Sequence, residues 1–299
     1  MSHALLDRLT HGDILLMDGA IGTRLQELGL AGGEAPEAWN LTRPDEVASV
    51  ADTYAAAGSD IVTTNTFGAS PLKLAAHGLA EQAVQINQAA VAAARRGADG
   101  RALVSGSMGP CGGLLEPYGD LAPDAVAAGF ALQAEALVAA GVDLICVETM
   151  IDLREAVLAV TAARTALPEG VVTATVTFEP SPRGWFTIMG NDVPTVAKEL
   201  TEAGADLIGS NCGQGSAGML EIAAAFGAAT DRPLLIQPNA GLPVVKGTDV
   251  HYPESPIDMA ARLPDLLAAG VRVIGGCCGT TPNHIAALRL AIDQQAAGP

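Results

Sequence analysis

Four times the chain leaves an alanine-rich segment and enters an apolar stretch through the same phrase: Ala-Gly, one residue, then Asp or Arg. It reads AAGSDIV at 56–62, AAGVDLI at 139–145, EAGADLI at 202–208 and AAGVRVI at 268–274. A glycine here takes the left-handed conformation that closes a helix. Gly58, Gly141, Gly204 and Gly270 therefore each predict a helix stop that feeds directly into a strand. The helices they close are expected at 44–58, 122–141, 193–204 and 257–270. Few architectures need that device repeated at this spacing.

The apolar stretches lie at 14–20, 60–67, 102–109, 143–149, 171–179, 206–213, 233–241 and 272–279. Such near-continuous runs suit parallel strands covered on both faces. Eight of them alternating with helices over about 280 residues predict an α/β fold, a (β/α)8 TIM barrel, with a doubly wound open sheet as the alternative. No change of composition and no Pro/Ser-rich linker divides the chain, so residues 1–299 read as a single domain with a core over about 12–292. FEPSPRGWFTIMGND at 178–192 reads as an elaborated loop or hairpin after the fifth strand, and the closing QQAAGP as a frayed tail.

With a net charge of −17, the chain is expected to be repelled by nucleic acid and by anionic membranes, which removes both as partners. The N-terminal MSHALLDRLTHGD carries acids and lacks the apolar core of a signal peptide, which predicts a cytoplasmic protein. In that reducing compartment the five cysteines favour metal or thiol chemistry over a disulfide framework.

In a barrel of this kind chemistry sits at the C-terminal ends of the strands. There the sequence places Asp18-Gly19, Asn65-Thr66, Cys111, Glu148, Asn211-Cys212, Asn239 and Cys277-Cys278. Polar turns account for the Asn, Asp and Gly residues but poorly for the cysteines. Cys212 follows the sixth strand, and Cys277 and Cys278 follow the eighth. Those strands flank the seventh, so the three thiols can converge above it. Adjacent residues of a strand point to opposite faces. The Cys277-Cys278 pair must therefore lie on bent backbone, which Gly275, Gly276 and Gly279 permit. Three thiolates without a fourth protein ligand match the open, catalytic pattern for Zn(2+). So many thiolates make zinc a poor activator of water but a good holder of a further soft ligand, whose thiol would lose its proton. The chemistry implied is attack by a substrate thiolate on an electrophilic carbon, most simply a methyl group.

LLMDGAIGTRLQELG, DIVTTNTFGAS, SNCGQG, QPNAGLP and GGCCGTTPNHI resemble the homocysteine S-methyltransferase family over about residues 12–292. That resemblance implies a (β/α)8 barrel with zinc on Cys212, Cys277 and Cys278, and homocysteine's ammonium on Glu148. It places the substrate carboxylate near Asp18, Gly19 and Ala20. Asn239 ends the seventh strand, between the two cysteine-bearing strands, and its amide oxygen is a candidate to fill the fourth zinc position until homocysteine displaces it. Cys111 departs from the family pattern, in which a small residue follows the proline, and brings a fourth thiol near the mouth. Cys146 reads as core.

For the methyl donor, NTFGASPLKLAAHGL and PEAWNLTRPDEV look closest to the methionine-synthase module, which points to a methyl-corrinoid protein acting in trans. Betaine or S-methylmethionine is the alternative. The chain has only ten aromatic residues, and it carries Gly68 and Thr149 where animal betaine enzymes have tyrosines. Trp39, Tyr118, Trp185 and Phe186 are the residues left to build a different cage for a quaternary ammonium. A zinc protein that binds a thiol without turnover, or a demethylase component that loads a corrinoid protein, are readings from other classes.

Overall fold

A computed structural model describes residues 2–247 and 249–297. Eight parallel strands form one sheet: β1 (Leu15–Leu16), β2 (Ile61–Thr63), β3 (Leu103–Met108), β4 (Leu144–Met150), β5 (Val171–Val176), β6 (Leu207–Asn211), β7 (Leu234–Gln237) and β8 (Val271–Ile274). Each pairs with the next from β2 to β8, and β8 pairs with β1. A lone parallel bridge between Met17 and Ile61 joins β1 to β2 and closes the barrel. The open-sheet alternative is thereby removed.

Strand alternation explains how the interior is filled. Leu15, Met17, Ile61, Leu144, Cys146, Val171, Leu207, Leu235 and Val273 form one buried cluster, into which Leu5 and Leu9 of the helix Ser2–Thr10 also pack. That helix stoppers the N-terminal end. Two or four residues further along several strands the inward side chains become polar: Thr63, Ser107, Glu148, Thr175, Asn211 and Gln237. The intervening residues, such as Val62, Val104, Ile145, Val147, Val172 and Ile208, belong to the outer cluster shared with the helices. The barrel is therefore greasy at one end and polar at the other.

All four phrase glycines have positive φ, 100° at Gly58, 89° at Gly141, 108° at Gly204 and 97° at Gly270. The Asp that follows does more than begin a strand. Asp60 Oδ2 accepts the Leu16 N–H at 2.9 Å, Asp143 Oδ2 the Val104 N–H at 2.7 Å, and Asp206 Oδ2 the Val172 N–H at 2.9 Å. The backbone N–H of each Asp donates back to the same residue's carbonyl. An arginine pairs with each carboxylate: Arg289 with Asp60, Arg95 with Asp143 and Arg164 with Asp206. At the fourth repeat Arg272 takes this position, and its guanidinium donates to the Leu267 and Val271 carbonyls.

Three expectations need correction. Every strand except β4 is shorter than its apolar run because the chain leaves the ladder early to build loops at the polar end. The helix expected at 257–270 is two pieces, Pro256–Ala260 and Leu263–Ala268. Pro264 has no N–H to donate and fits only a first turn. Finally, QQAAGP does not begin a frayed tail, since the last helix runs Pro282–Ala297; Gly298 and Pro299 lie outside the described residues. The 178–192 segment contains an antiparallel hairpin, Glu179–Ser181 with Gly184–Phe186.

Candidate functional site

At the polar end of the barrel a cavity of about 380 Å³ is lined by Asp18–Thr23, Glu37, Glu148, Thr149, Gln237 and the three late cysteines, among others. That is within the range of small-molecule sites. A larger cleft of about 750 Å³ lies at the opposite end, beside Leu6, Leu9 and Arg272, far from any of this chemistry.

The three sulfurs of Cys212, Cys277 and Cys278 lie within 4.8 Å of one another, and Cys212 Sγ is 3.9 Å from Cys278 Sγ. Tetrahedral zinc with Zn–S bonds of about 2.3 Å requires sulfurs about 3.8 Å apart, so the trio fits the ion. The backbone creates this convergence. Cys212 has φ 60°, a left-handed residue that turns the chain at the end of β6, and its N–H donates to the Gln237 carbonyl. The Cys277 N–H donates to Pro238 O at 2.7 Å, and the Ala240 N–H to Cys278 O at 3.0 Å, so the loop after β7 anchors the pair. The glycine sleeve is sterically required: a Cβ on Gly276 would lie 2.4 Å from Thr280 Oγ1, and one on Gly275 2.8 Å from Met17 Cβ.

Hydrogen bonding from Cys212, and then from Cys277, pulls the Cys278 thiol down to about 3. Hydrogen bonds to Cys212 and Cys278, followed by burial, push Cys277 up. The metal-free trio thus favours one thiolate, which its two neighbours stabilise; a cation is what would permit three. Asn239 is buried, and its Oδ1 has no hydrogen-bond partner among the described residues. A buried acceptor left without a donor is costly, and an oxygen-binding cation would satisfy it.

Glu148 lies on the interior of β4. Burial raises its pKa, against the hydrogen bond it accepts from the Ser107 hydroxyl, and the nearby Cys212 raises it further. A substrate ammonium would supply the missing counter-charge. Asp18 is also buried and is pushed up to about 7 by desolvation, against two hydrogen bonds from Thr63. Its carboxylate is occupied with Thr63, so the side chain braces the turn. The turn itself threads between Tyr54 and Thr280: Ala20 N–H donates to Thr280 Oγ1 at 3.1 Å, and Tyr54 Oη–H donates to Ala20 O at 3.1 Å. A Cβ on Gly19 would lie 2.7 Å from Thr280 Oγ1.

Several cavity residues were not among the sequence candidates: Glu37, Ser107, Gln237 and Phe67 in its wall; Asn211, named with Cys212 at the end of β6, lies beside the site. Glu37 arrives on a short turn, Pro36–Ala38, and its Oε1 accepts the Gly68 N–H at 2.7 Å. Strand periodicity would have found Ser107 and Gln237, whose side chains face inward; nothing local marks Glu37.

Other expectations fail. Cys111 is buried, its N–H donates to Glu155 Oε1, and it does not line the cavity. Burial pushes its thiol up to about 12. Cys146 is buried core, as expected. None of the four aromatic cage candidates lines the cavity. Trp39 is buried with its indole N–H on Glu34, Tyr118 is 71% exposed on the surface, and Trp185 and Phe186 sit in the hairpin after β5. Among the described residues no helix is long and apolar enough to cross a membrane.

A family profile described as homocysteine S-methyltransferase matches residues 15–292. The methionine synthase of Mycobacterium tuberculosis is 34% identical over 96% of this chain, and that of Mycobacterium leprae 33% identical over 93%. The chain spans about a quarter of the length of these curated relatives. Among solved structures, the metallated form of the homocysteine methyltransferase MmuM from Escherichia coli superposes with a TM-score of 0.77 at 28% identity. That match covers 96% of this chain and 98% of the other. The oxidized form of the same enzyme matches equally well, and the apo form at 0.73.

Proposed function

The chain belongs to the homocysteine S-methyltransferase family, and from that premise we propose that it makes methionine by transferring a methyl group from a small cationic donor to homocysteine, with zinc on Cys212, Cys277 and Cys278. The observation that carries this reading is the cavity's charge. It is walled by three thiols and the carboxylates of Asp18, Glu37 and Glu148, and among the described residues no Lys, Arg or His lines it. Such a site attracts cations, and the reaction offers two: the ammonium of homocysteine and a methylated donor.

Zinc on three thiolates would lower the pKa of homocysteine's thiol and keep its sulfur electron-rich. The residues of the chain do the rest. Glu148, oriented by Ser107, receives the substrate ammonium in a charge-assisted contact. The turn at Asp18, Gly19 and Ala20 lies where the resemblance puts the substrate carboxylate, Asp18 serving as its brace. Asn239 Oδ1 would occupy the fourth position when substrate is absent and yield it when the thiol arrives. Glu37, held by the Gly68 N–H, is the cavity carboxylate left over for a cationic donor. In the transfer a sulfur–methyl bond forms on homocysteine as the donor's own bond to that methyl breaks. The electron pair stays with the donor atom, and the thiol proton has already been given up.

A sulfonium such as S-methylmethionine suits the wall better than betaine. Among the described residues Phe67 is the one aromatic that lines the cavity, with Tyr252 hydrogen-bonded to Cys278 beside it, whereas a quaternary ammonium calls for a cage. The near end-to-end match to the E. coli homocysteine methyltransferase supports a small donor over the methyl-corrinoid protein that the sequence motifs suggested. The similarity to the mycobacterial methionine synthases keeps a methyl-corrinoid as the second reading. Methionine formation from homocysteine with S-methylmethionine, betaine and methylcobalamin in turn, on protein of measured zinc content, tests both. Turnover with the sulfonium alone is the expected result. Stoichiometric zinc and homocysteine binding without turnover on any donor would leave a thiol-binding protein.

A further inference from the structure

The carboxamide of Asn211 commits both its ends to two different parts of the site. Its Oδ1 accepts the Thr149 backbone N–H and the Thr175 hydroxyl, each at 2.8 Å. Its Nδ2 donates to Thr149 Oγ1 at 2.7 Å and also reaches Glu148 Oε2 at 3.4 Å and Cys277 Sγ at 3.7 Å. The residue is fully buried.

The backbone on either side is strained. Thr149 has φ 59° and Cys212 φ 60°, two of the three non-glycine residues with positive φ among those described. A β-branched residue there is strained and persists only where its surroundings hold it. At Thr149 the holding comes from Asn211, which grips both the N–H and the hydroxyl. Glu148 is the residue immediately before that turn, and Cys212 immediately follows Asn211 itself.

We propose that Asn211 is a positioning residue. It fixes the ammonium-binding carboxylate of Glu148 against the sulfur trio and gives Cys277 an N–H that draws charge from its sulfur. The inference rests on reading the site as a zinc–homocysteine centre. Homocysteine's ammonium and thiol are separated by its own short chain. Both ends engage together only if carboxylate and sulfurs keep a set separation. Asn211, reaching from β6 past β5 to β4, is the direct link between them.

The test uses Asn211→Ala and the isosteric Asn211→Asp, which retains the acceptor for Thr149 and Thr175 and loses the donors. It is read on full-length protein loaded with zinc, and separately with Co(II). Disturbance of groups behind metal ligands commonly costs tenfold to a hundredfold in affinity or activity. The homocysteine KM should therefore rise about tenfold or more in both variants while the donor KM stays unchanged. The sulfur-to-cobalt charge-transfer band should move to longer wavelength, because removing the N–H raises the sulfur lone pairs in energy. The Glu148→Gln/Asn211→Ala double variant should lose little more in homocysteine KM than Glu148→Gln alone. A folded Asp variant with wild-type homocysteine KM and an unshifted band overturns the proposal, as do losses that multiply independently in the double variant. If the wild-type protein takes up neither metal nor homocysteine, the functional reading fails; if it does and the Asn211 variants match it, this inference alone fails.

Discussion

Asp18 holds Thr63 with both carboxylate oxygens, accepting its backbone N–H at 2.6 Å and its hydroxyl at 2.7 Å. This contact sits where the barrel is least paired, at the β1–β2 seam that a single backbone bridge closes. One side chain thus completes the cylinder and forms the floor of the cavity.

Asp18→Ala strands a buried N–H, and leaving such a donor unsatisfied costs about 1–3 kcal/mol. The expected result is a fall in Tm of several degrees, with a homocysteine KM that rises as the turn loosens. A variant as stable as wild type would mean that the seam does not depend on this contact.

The same residue sets a pH dependence. Its folded pKa of about 7 exceeds the ordinary 3.8 because burial disfavours the charged form. The folded state therefore binds the proton more tightly than the unfolded chain. The contribution is complete below about pH 4 and is lost as pH rises towards 7, amounting to at most about 4 kcal/mol. Glu148, also raised by burial, acts in the same direction. Asp192, lowered by its Thr195 hydrogen bonds, acts in the opposite sense and only in acid. Cys278, held low in the metal-free trio, acts in the opposite sense and is the same in both proteins, so in denaturant titrations of metal-free protein the stability of wild type relative to Asp18→Asn should fall across pH 4–7.

Removing one sulfur should break the metal site as a unit. Cys278→Ser is expected to lose stoichiometric zinc and methyl transfer together. Cys111→Ser should keep both, since Cys111 packs against Glu155 outside the cavity. Elemental analysis of the reduced proteins decides it; zinc retained by Cys278→Ser would place the metal elsewhere.

Glu37→Gln probes the donor. At an effective dielectric of about 20, a charge pair about 8 Å apart is worth about 2 kcal/mol, or roughly thirtyfold. A rise of that order in KM for a sulfonium donor, without change in the homocysteine KM, is expected. An effect on homocysteine alone would assign the carboxylate to the other substrate.

The four Ala-Gly-x-Asp/Arg phrases carried the fold, because a left-handed glycine and a strand-opening Asp act over a few residues and leave their mark in local sequence. Cys212, Cys277 and Cys278 were legible for a related reason: their strands flank one neighbour, and strand order follows chain order in a parallel barrel. Strand ends were not legible at 14–20 or 233–241, where apolar residues continue after the ladder has stopped. Nor was the break at Pro264 foreseen inside an otherwise helical pattern. Asn211 read as an ordinary turn residue because its partners Thr149 and Glu148 lie two strands away. They meet it only across the interior of a closed cylinder. Glu37 became a cavity wall only when the short turn Pro36–Ala38 folded back against Gly68; a contact of that kind leaves no mark in local sequence, and closure of the barrel alone decides which charges share a cavity.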